Sequence, residues 1–208
     1  MGRLPRKALH METVISAIPF EQCPAKTWKR EDGTTLQGRS VFNHCQIVAE
    51  TARHLISLFP ESMQSRLFPQ GSEMAAGGHD IGKVSPTFVV KIRAACGLDT
   101  KTIPELKKFT SLKESGWSGH AGVSQATAEE IGVPKYVAEI LGQHHGFNPQ
   151  VDDKRGNDEV FGGSSWFDER KKLVDELNTD QTTNNENITK LQGGFTVSNE
   201  IGTKTDIR

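Results

Sequence analysis

The stretch GGHDIGK, residues 77–83, sets a histidine beside an aspartate between glycines, with a lysine three residues beyond the aspartate. Imidazole nitrogen and carboxylate oxygen are both ligands for first-row divalent ions. An aspartate at such a place is equally an ordinary helix cap beside a buried histidine. The two readings part on whether the remaining chain supplies partners. The surrounding EMAAGGHDIG, residues 73–82, reads as a short helix of small residues. Its alanines and glycines predict close packing, because a Gly-Gly pair is otherwise costly in a helix.

Working outward, helical spacing recurs on both sides. In SVFNHCQIVAETARHLISLF, Ser40 is placed to cap, and Val41, Cys45, Val48, Ala52, Leu55 and Phe59 repeat at three- and four-residue intervals until Pro60. SPTFVVKIRAACG reads as helical, and residues 98–119 as loop-rich. HAGVSQATAEEIG is a helix closed by Gly132, and PKYVAEILGQHHG opens with Pro134 at its first position. Residues 148–165 are turn-rich, SWFDERKKLVDELN is an amphipathic helix and TDQTTNNEN a polar linker. The closing ITKLQGGFTVSNEIGTKTDIR has room for one more helix. Residues 1–39 show little periodicity and read as an irregular arm. The expected class is all-α, a compact helical bundle with few or no strands, folded as a single domain over residues 1–208.

Composition excludes several functions. The chain has 208 residues, 35 % hydrophobic and 25 % charged, with a formal net charge of −1, so its overall balance does not mark a nucleic-acid binder. A DNA partner would need local basic patches such as Lys107-Lys108 or Arg170-Lys171-Lys172. The three cysteines, Cys23, Cys45 and Cys96, are widely spaced and form no CxxC pair, which reads as reduced thiols. No apolar run reaches membrane-spanning length, and MGRLPRKALH lacks a signal-peptide core. The expected location is the cytoplasm, with no membrane partner.

Seven histidines are present, and five fall in suggestive places. His44 lies on the side of its helix shared with Val48 and Leu55. His79 precedes Asp80, His120 starts a helix, and His144-His145 end one at Gly146. Taken singly, each reads first as a hydrogen-bonded core residue. Five on four predicted helices change the balance, because a core has no packing use for so many imidazoles and a divalent ion does. Adjacent residues point about 100° apart on a regular helix, so His144 and His145 reach one cavity only if the last turn frays. Asp80 brings a negative charge and two oxygens, which makes it the natural bridge between two ions. His54 reads as a surface residue, and His10 belongs to the arm.

In this order NHCQIVAETARHL, GHDIGKVSPTF, SGHAGVSQA and GQHHGF resemble the HD-nuclease domain of the CRISPR-associated nuclease–helicase of type I systems. The His-Asp step marks the wider HD phosphohydrolase superfamily, and the Gly-Lys-x-Ser-Pro-x-Phe and His-His-Gly-Phe continuations narrow it. The resemblance runs from about Trp28 to Gly202. It implies an α-helical, metal-dependent nuclease that cuts single-stranded DNA opened by an RNA-guided surveillance complex. It also implies a superfamily-two helicase, fused or in trans, that feeds the strand. The sequence holds no GxxxxGK[ST] phosphate loop, so the helicase part is absent from it.

By the same resemblance, His44, His79 and Asp80 would hold one metal, and Asp80, His120, His144 and His145 a second. Lys83 would meet a phosphate or, on the plain reading, stay solvated. Trp117 reads as a packing residue before a base-stacking one. A histidine-rich shell favours manganese, iron, cobalt, nickel or zinc over magnesium. The family's final motif carries an aspartate where this chain has Asn199 in GGFTVSNEIG. Asn199 brings a carbonyl oxygen without charge, a weaker ligand for the first site. Two rivals stand beside the nuclease reading: a phosphohydrolase acting on free nucleotides, and a degenerate module that binds without cutting.

Overall fold

The computed structural model describes residues 16–184. Among them are eight α-helices, four short 3-10 turns and one two-stranded hairpin, so the all-α expectation holds for the bulk of the chain. Asn199, His10 and the closing segment expected to hold a last helix lie outside the described residues.

The expected irregular arm is instead partly ordered. A 3-10 turn at Phe20–Gln22 leads into strand β1 (Thr27–Lys29), which pairs antiparallel with β2 (Thr35–Gln37). Asp32-Gly33 forms the bend, with Gly33 left-handed (φ 84°) and the Asp32 carboxylate accepting from Thr34 N at 2.8 Å. Three-residue strands leave too little alternation to read, but the Asp-Gly pair is itself a hairpin signal.

The hairpin feeds directly into helix α1 (Val41–Ser57), whose N-cap Ser40 accepts from Asn43 N, as its sequence predicts. Only the first half of the predicted apolar stripe is covered. Val41, Cys45 and Ala49 are buried, whereas Leu55 and Phe59 are exposed. Pro60 does not merely stop α1; it stands at the N-cap of α2 (Glu61–Leu67), a helix the spacing analysis passes over. Helix α3 (Ser72–Gly78) then packs against α1 at close range. A Cβ on Gly77 would lie 2.8 Å from the Ala49 Cβ, which explains one of the two adjacent glycines.

After the His-Asp step and a 3-10 turn (Ile81–Lys83) come α4 (Pro86–Ala95), the single turn α5 (Pro104–Lys107), α6 (Gly119–Glu130) and α7 (Lys135–Gly142). The chain ends its described part in α8 (Gly163–Asn184). This helix continues through TDQTTN, read above as linker, because extending a formed helix costs far less than starting one.

The main core joins Val41, Cys45, Met74, Ile81, Leu141 and Trp166 around α1, α3, α7 and α8. A second cluster gathers Phe88, Ile92, Trp117, Val123 and Phe161. Trp117 is therefore a packing residue, and its base-stacking alternative falls. The cysteines are free, with Cys23 and Cys45 buried. Burial pushes both of those thiols well above their ordinary range.

Arg170 corrects the reading of Arg170-Lys171-Lys172 as a basic surface patch. Its side chain is fully buried. The guanidinium donates to Thr127 Oγ1 (2.8 Å), Val84 O (2.8 Å), Phe161 O (3.2 Å) and Gly156 O (2.6 Å). The other suggested patch is partly neutralised, since Lys108 pairs with Glu159 at 2.6 Å.

Candidate metal centre

Four pieces of chain meet at Asp80. It sits at the N-cap position of the 3-10 turn, yet its side chain makes no capping hydrogen bond, so the helix-cap reading is set aside. Instead the buried carboxylate divides its two oxygens. Oδ2 lies 2.8 Å from His44 Nε2, 3.1 Å from His79 Nε2 and 2.6 Å from Lys83 Nζ. Oδ1 faces His120 Nε2 at 3.3 Å and His144 Nε2 at 3.6 Å. His145 joins through His120, with the two Nε2 atoms 2.8 Å apart.

Local geometry explains how each imidazole arrives. His44 lies in the first turns of α1, one residue before the buried Cys45. His79 closes α3. His120 stands in the first turn of α6, which starts abruptly because Ser118 (φ 58°) and Gly119 (φ 63°) are both left-handed. The Ser118 hydroxyl holds that turn by donating to the Gln150 carbonyl at 2.9 Å. Helix α7 stops at Gly142, earlier than its sequence predicts. His144 and His145 then lie on a turn closed by left-handed Gly146. Freed from the helix, the two rings reach the same place, their centroids 4.2 Å apart.

The hydrogen count points to a cation. A carbonyl oxygen only accepts, so the contacts of His79 Nδ1 with Ala76 O and His144 Nδ1 with Leu141 O, each 2.6 Å, place a proton on each Nδ1. In a neutral His144 ring the Nε2 lone pair then faces the Asp80 carboxylate. Asp80 Oδ1 and His144 Nε2 are buried with no hydrogen-bond partner, a costly state for two acceptors facing each other. These atoms fit one or two divalent cations. The ligand atoms of His44, His79 and Asp80 lie within 4.8 Å of one another, as do those of His120, His144 and His145.

Electrostatics agree with that fit. Burial alone would raise Asp80, but the His120, His44 and His79 imidazoles gathered on it, with the His79 charge, hold its carboxyl far below the ordinary range. Burial pulls His120, His144 and His145 down, which keeps them neutral and able to ligate near pH 7. His79 is the exception. Burial pulls it down too, but the Asp80 hydrogen bond and charge, with the Ala76 carbonyl, outweigh this and raise it.

The structure thus brings all six histidine and aspartate candidates into one site. Lys83 is there too, its ammonium on Asp80 and 5.5 Å over the Phe88 ring. His54 is exposed on α1, as its position on the helix predicts. Sequence reasoning passed over three further residues. Ser124, one turn beyond His120 on α6, donates to His79 O (2.8 Å) and accepts from Gly82 N (2.9 Å), tying the His-Asp turn to α6. Spacing of four from His120 was its available signal. Gly82 permits the contact, since a Cβ there would lie 2.0 Å from His120 O. Phe147 is 59 % exposed, with its ring 15° from parallel to that of His145.

Gly82 therefore supports a prediction. Gly82→Ala drives a methyl into the α6 backbone, and the strain is expected to cost about 3 kcal/mol. Thermal unfolding should show a lowered midpoint, and calorimetric titration with manganese a weakened site, because α6 cannot move without carrying His120 away from Asp80.

A helical bundle that surrounds a His-Asp step with histidines from neighbouring helices defines a metal-dependent hydrolase of the HD type. This chain belongs to the Cas3 HD-domain family: the model described as "Cas3, HD domain" matches residues 25–197. The match takes in all six residues around Asp80 and ends before Asn199. No curated protein and no solved structure matches the chain. Membership places the hydrolase in a CRISPR-associated setting. Among the described residues, no helix is long and apolar enough to cross a membrane.

Proposed function

We propose that this chain is a metal-dependent nuclease that hydrolyses phosphodiester bonds of single-stranded DNA in type I CRISPR interference. The observation that carries the reading is Asp80, buried between two sets of imidazoles with acceptor atoms that lack hydrogen-bond partners. In this reading His44, His79 and Asp80 would hold one ion, and Asp80, His120, His144 and His145 the other. Asn199, outside the described residues, is a further candidate for the first. Bound divalent ions supply Lewis acidity and a water of lowered pKa. Lys83, beside Asp80, carries the positive charge that offsets the non-bridging oxygens of a phosphodiester. The strand arrives from a superfamily-two helicase, fused or in trans, after the surveillance complex has opened the target.

A polymer suits the shape of this site. His145, Gly146 and Phe147 form an exposed rim, open for a strand to lie across, whereas a nucleotide hydrolase needs walls around base and sugar. Phe147 offers a ring face to a base flanking the scissile phosphate, a contact worth about 1–3 kcal/mol. Phe147→Ala is expected to raise KM for single-stranded DNA about tenfold, with a much smaller change in kcat. Steady-state cleavage kinetics check this split.

The function itself is tested on the chelator-treated chain reloaded with manganese, cobalt, nickel, zinc or magnesium. Each form is offered labelled single-stranded DNA and a panel of nucleotides. Strand cleavage, better with a transition metal than with magnesium, is the expected result. Turnover of nucleotides alone would overturn the nuclease reading, and cleavage equal in magnesium would overturn the metal preference.

A further inference from the structure

The hairpin ahead of α1 carries a group of side chains that the metal centre does not use. Between residues 26 and 39 lie four cations, Lys26, Lys29, Arg30 and Arg39, and two carboxylates, Glu31 and Asp32. All four cations are exposed, and among the described residues none forms an ion pair. In their midst Trp28 is 56 % exposed. Alternation along a strand puts Lys26, Trp28 and Arg30 on one face, and Leu36 stands directly opposite Trp28 on β2. An indole held in the open between two unpaired cations has no packing explanation.

The hairpin is also hydrogen-bonded onto the start of α1, the helix that carries His44. Its ladder runs from Arg30 N–Thr34 O (2.9 Å) through Gly38 N–Lys26 O (2.8 Å) and Ala25 N–Arg39 O (2.9 Å) to Val41 N–Cys23 O (2.8 Å). That last bond lies on the first residue of α1. From Leu36 to His44 the chain spans at most about 20 Å, four extended residues and then four helical ones. Along this path Arg39, Asn43, Gln46 and Ile47 line a shallow cleft of about 370 Å³, and Asn43 is the neighbour of His44.

We infer that the Lys26–Trp28–Arg30 face is a single-strand binding platform, with Trp28 stacking a base and the cations meeting phosphates. The Arg39–Asn43 cleft continues from it along the start of α1, the helix that carries His44. Cations that follow a backbone, with an aromatic face that accepts any base, are the means by which proteins hold single strands without sequence preference. The inference rests on the single-stranded substrate proposed above, and it adds where that strand is gripped outside the reacting atoms.

The test uses the full chain in excess chelator, so it reads binding whether or not the site cuts. The chain has three tryptophans, and Trp117 and Trp166 are buried, so solvent-exposed emission belongs to Trp28. Oligothymidylate at low salt is expected to quench that emission. By anisotropy of a labelled strand, Trp28→Ala should bind about tenfold more weakly. The Lys26→Ala/Arg30→Ala pair should reduce the slope of log affinity against log salt by about 1.4. The blue-shifted emission of Trp117 and Trp166 reports that each variant is folded. Unchanged affinity in Trp28→Ala, or quenching by polyglutamate as strong as by the strand, overturns the inference. Binding that behaves as expected while the metal-loaded chain cuts no strand would instead remove the nuclease reading and leave the platform standing.

Discussion

Asp80→Asn should reduce metal-dependent hydrolysis by about a thousandfold or more, equivalent to roughly 4 kcal/mol of barrier. The substitution keeps the side-chain volume, so it isolates charge and oxygen count from packing. Wild-type Asp80 presents Oδ2 to His44, His79 and Lys83 and Oδ1 to His120 and His144. Asparagine keeps one oxygen, and its amide donors occupy the other side. Both imidazole sets lose their shared anion at once, and Lys83 loses its counter-charge. Metal content of the purified variant and calorimetric titration with manganese should fall together with strand cleavage. Retained metal with lost cleavage would confine Asp80 to the reaction itself, and retained cleavage would remove it from the site.

The same substitution alters the response of stability to acid. The imidazoles gathered on Asp80 hold its folded carboxyl below its unfolded value of 3.8. A depressed carboxyl contributes stability that is fully present above the unfolded value and lost as pH falls toward the folded one. Acid unfolding of the wild type below about pH 4 should therefore be steeper than that of Asp80→Asn. Urea midpoints across that range measure the difference.

How far the sequence reveals this site depends on what sets each position. The imidazoles of His44 and His120 are carried by helices whose local signals are strong, a serine cap for α1 and a closing Gly132 after α6. Their convergence on Asp80 follows from order along the chain together with the resemblance. Periodicity does not say what covers a face. It marks Leu55 and Phe59 as firmly as Val41 and Cys45, yet the buried residues of α1 are Val41, Cys45 and Ala49, where Gly77 of α3 allows the close approach. Likewise Ser124 reads as any small helical polar residue until the turn of Gly82 is placed against it. The hairpin was legible at Asp32-Gly33 but not in its three-residue strands. Arg170 was hidden for the opposite reason: a charge in a run of charges reads as solvent-facing, and nothing local announces acceptors such as Val84 O and Thr127 Oγ1 from distant parts of the chain.

Arg170→Met should therefore destabilise the protein by about 4 kcal/mol, lowering the thermal midpoint by about 8–16 °C. Methionine approximates the length of the side chain and removes a buried charge, which on its own favours folding. The loss outweighs it, because the carbonyls of Val84, Phe161 and Gly156 and the Thr127 hydroxyl would remain inside without their donor. Burial lowers the guanidinium to about 9, still protonated at neutral pH, so all its donors stay in use. Arg170→Lys keeps the charge but not the planar fork, and one ammonium cannot reach acceptors arranged around it; an intermediate loss is expected. The consequence extends to the metal centre. Val84 follows the His-Asp turn, and Thr127 lies on α6 one turn beyond Ser124, so Arg170 fastens α8 to both elements that present Asp80 and His120. Manganese should raise the midpoint of Arg170→Met, because binding to the folded state opposes unfolding, and should leave that of Asp80→Asn nearly unmoved. That contrast separates a residue that holds the frame from one that holds the ion.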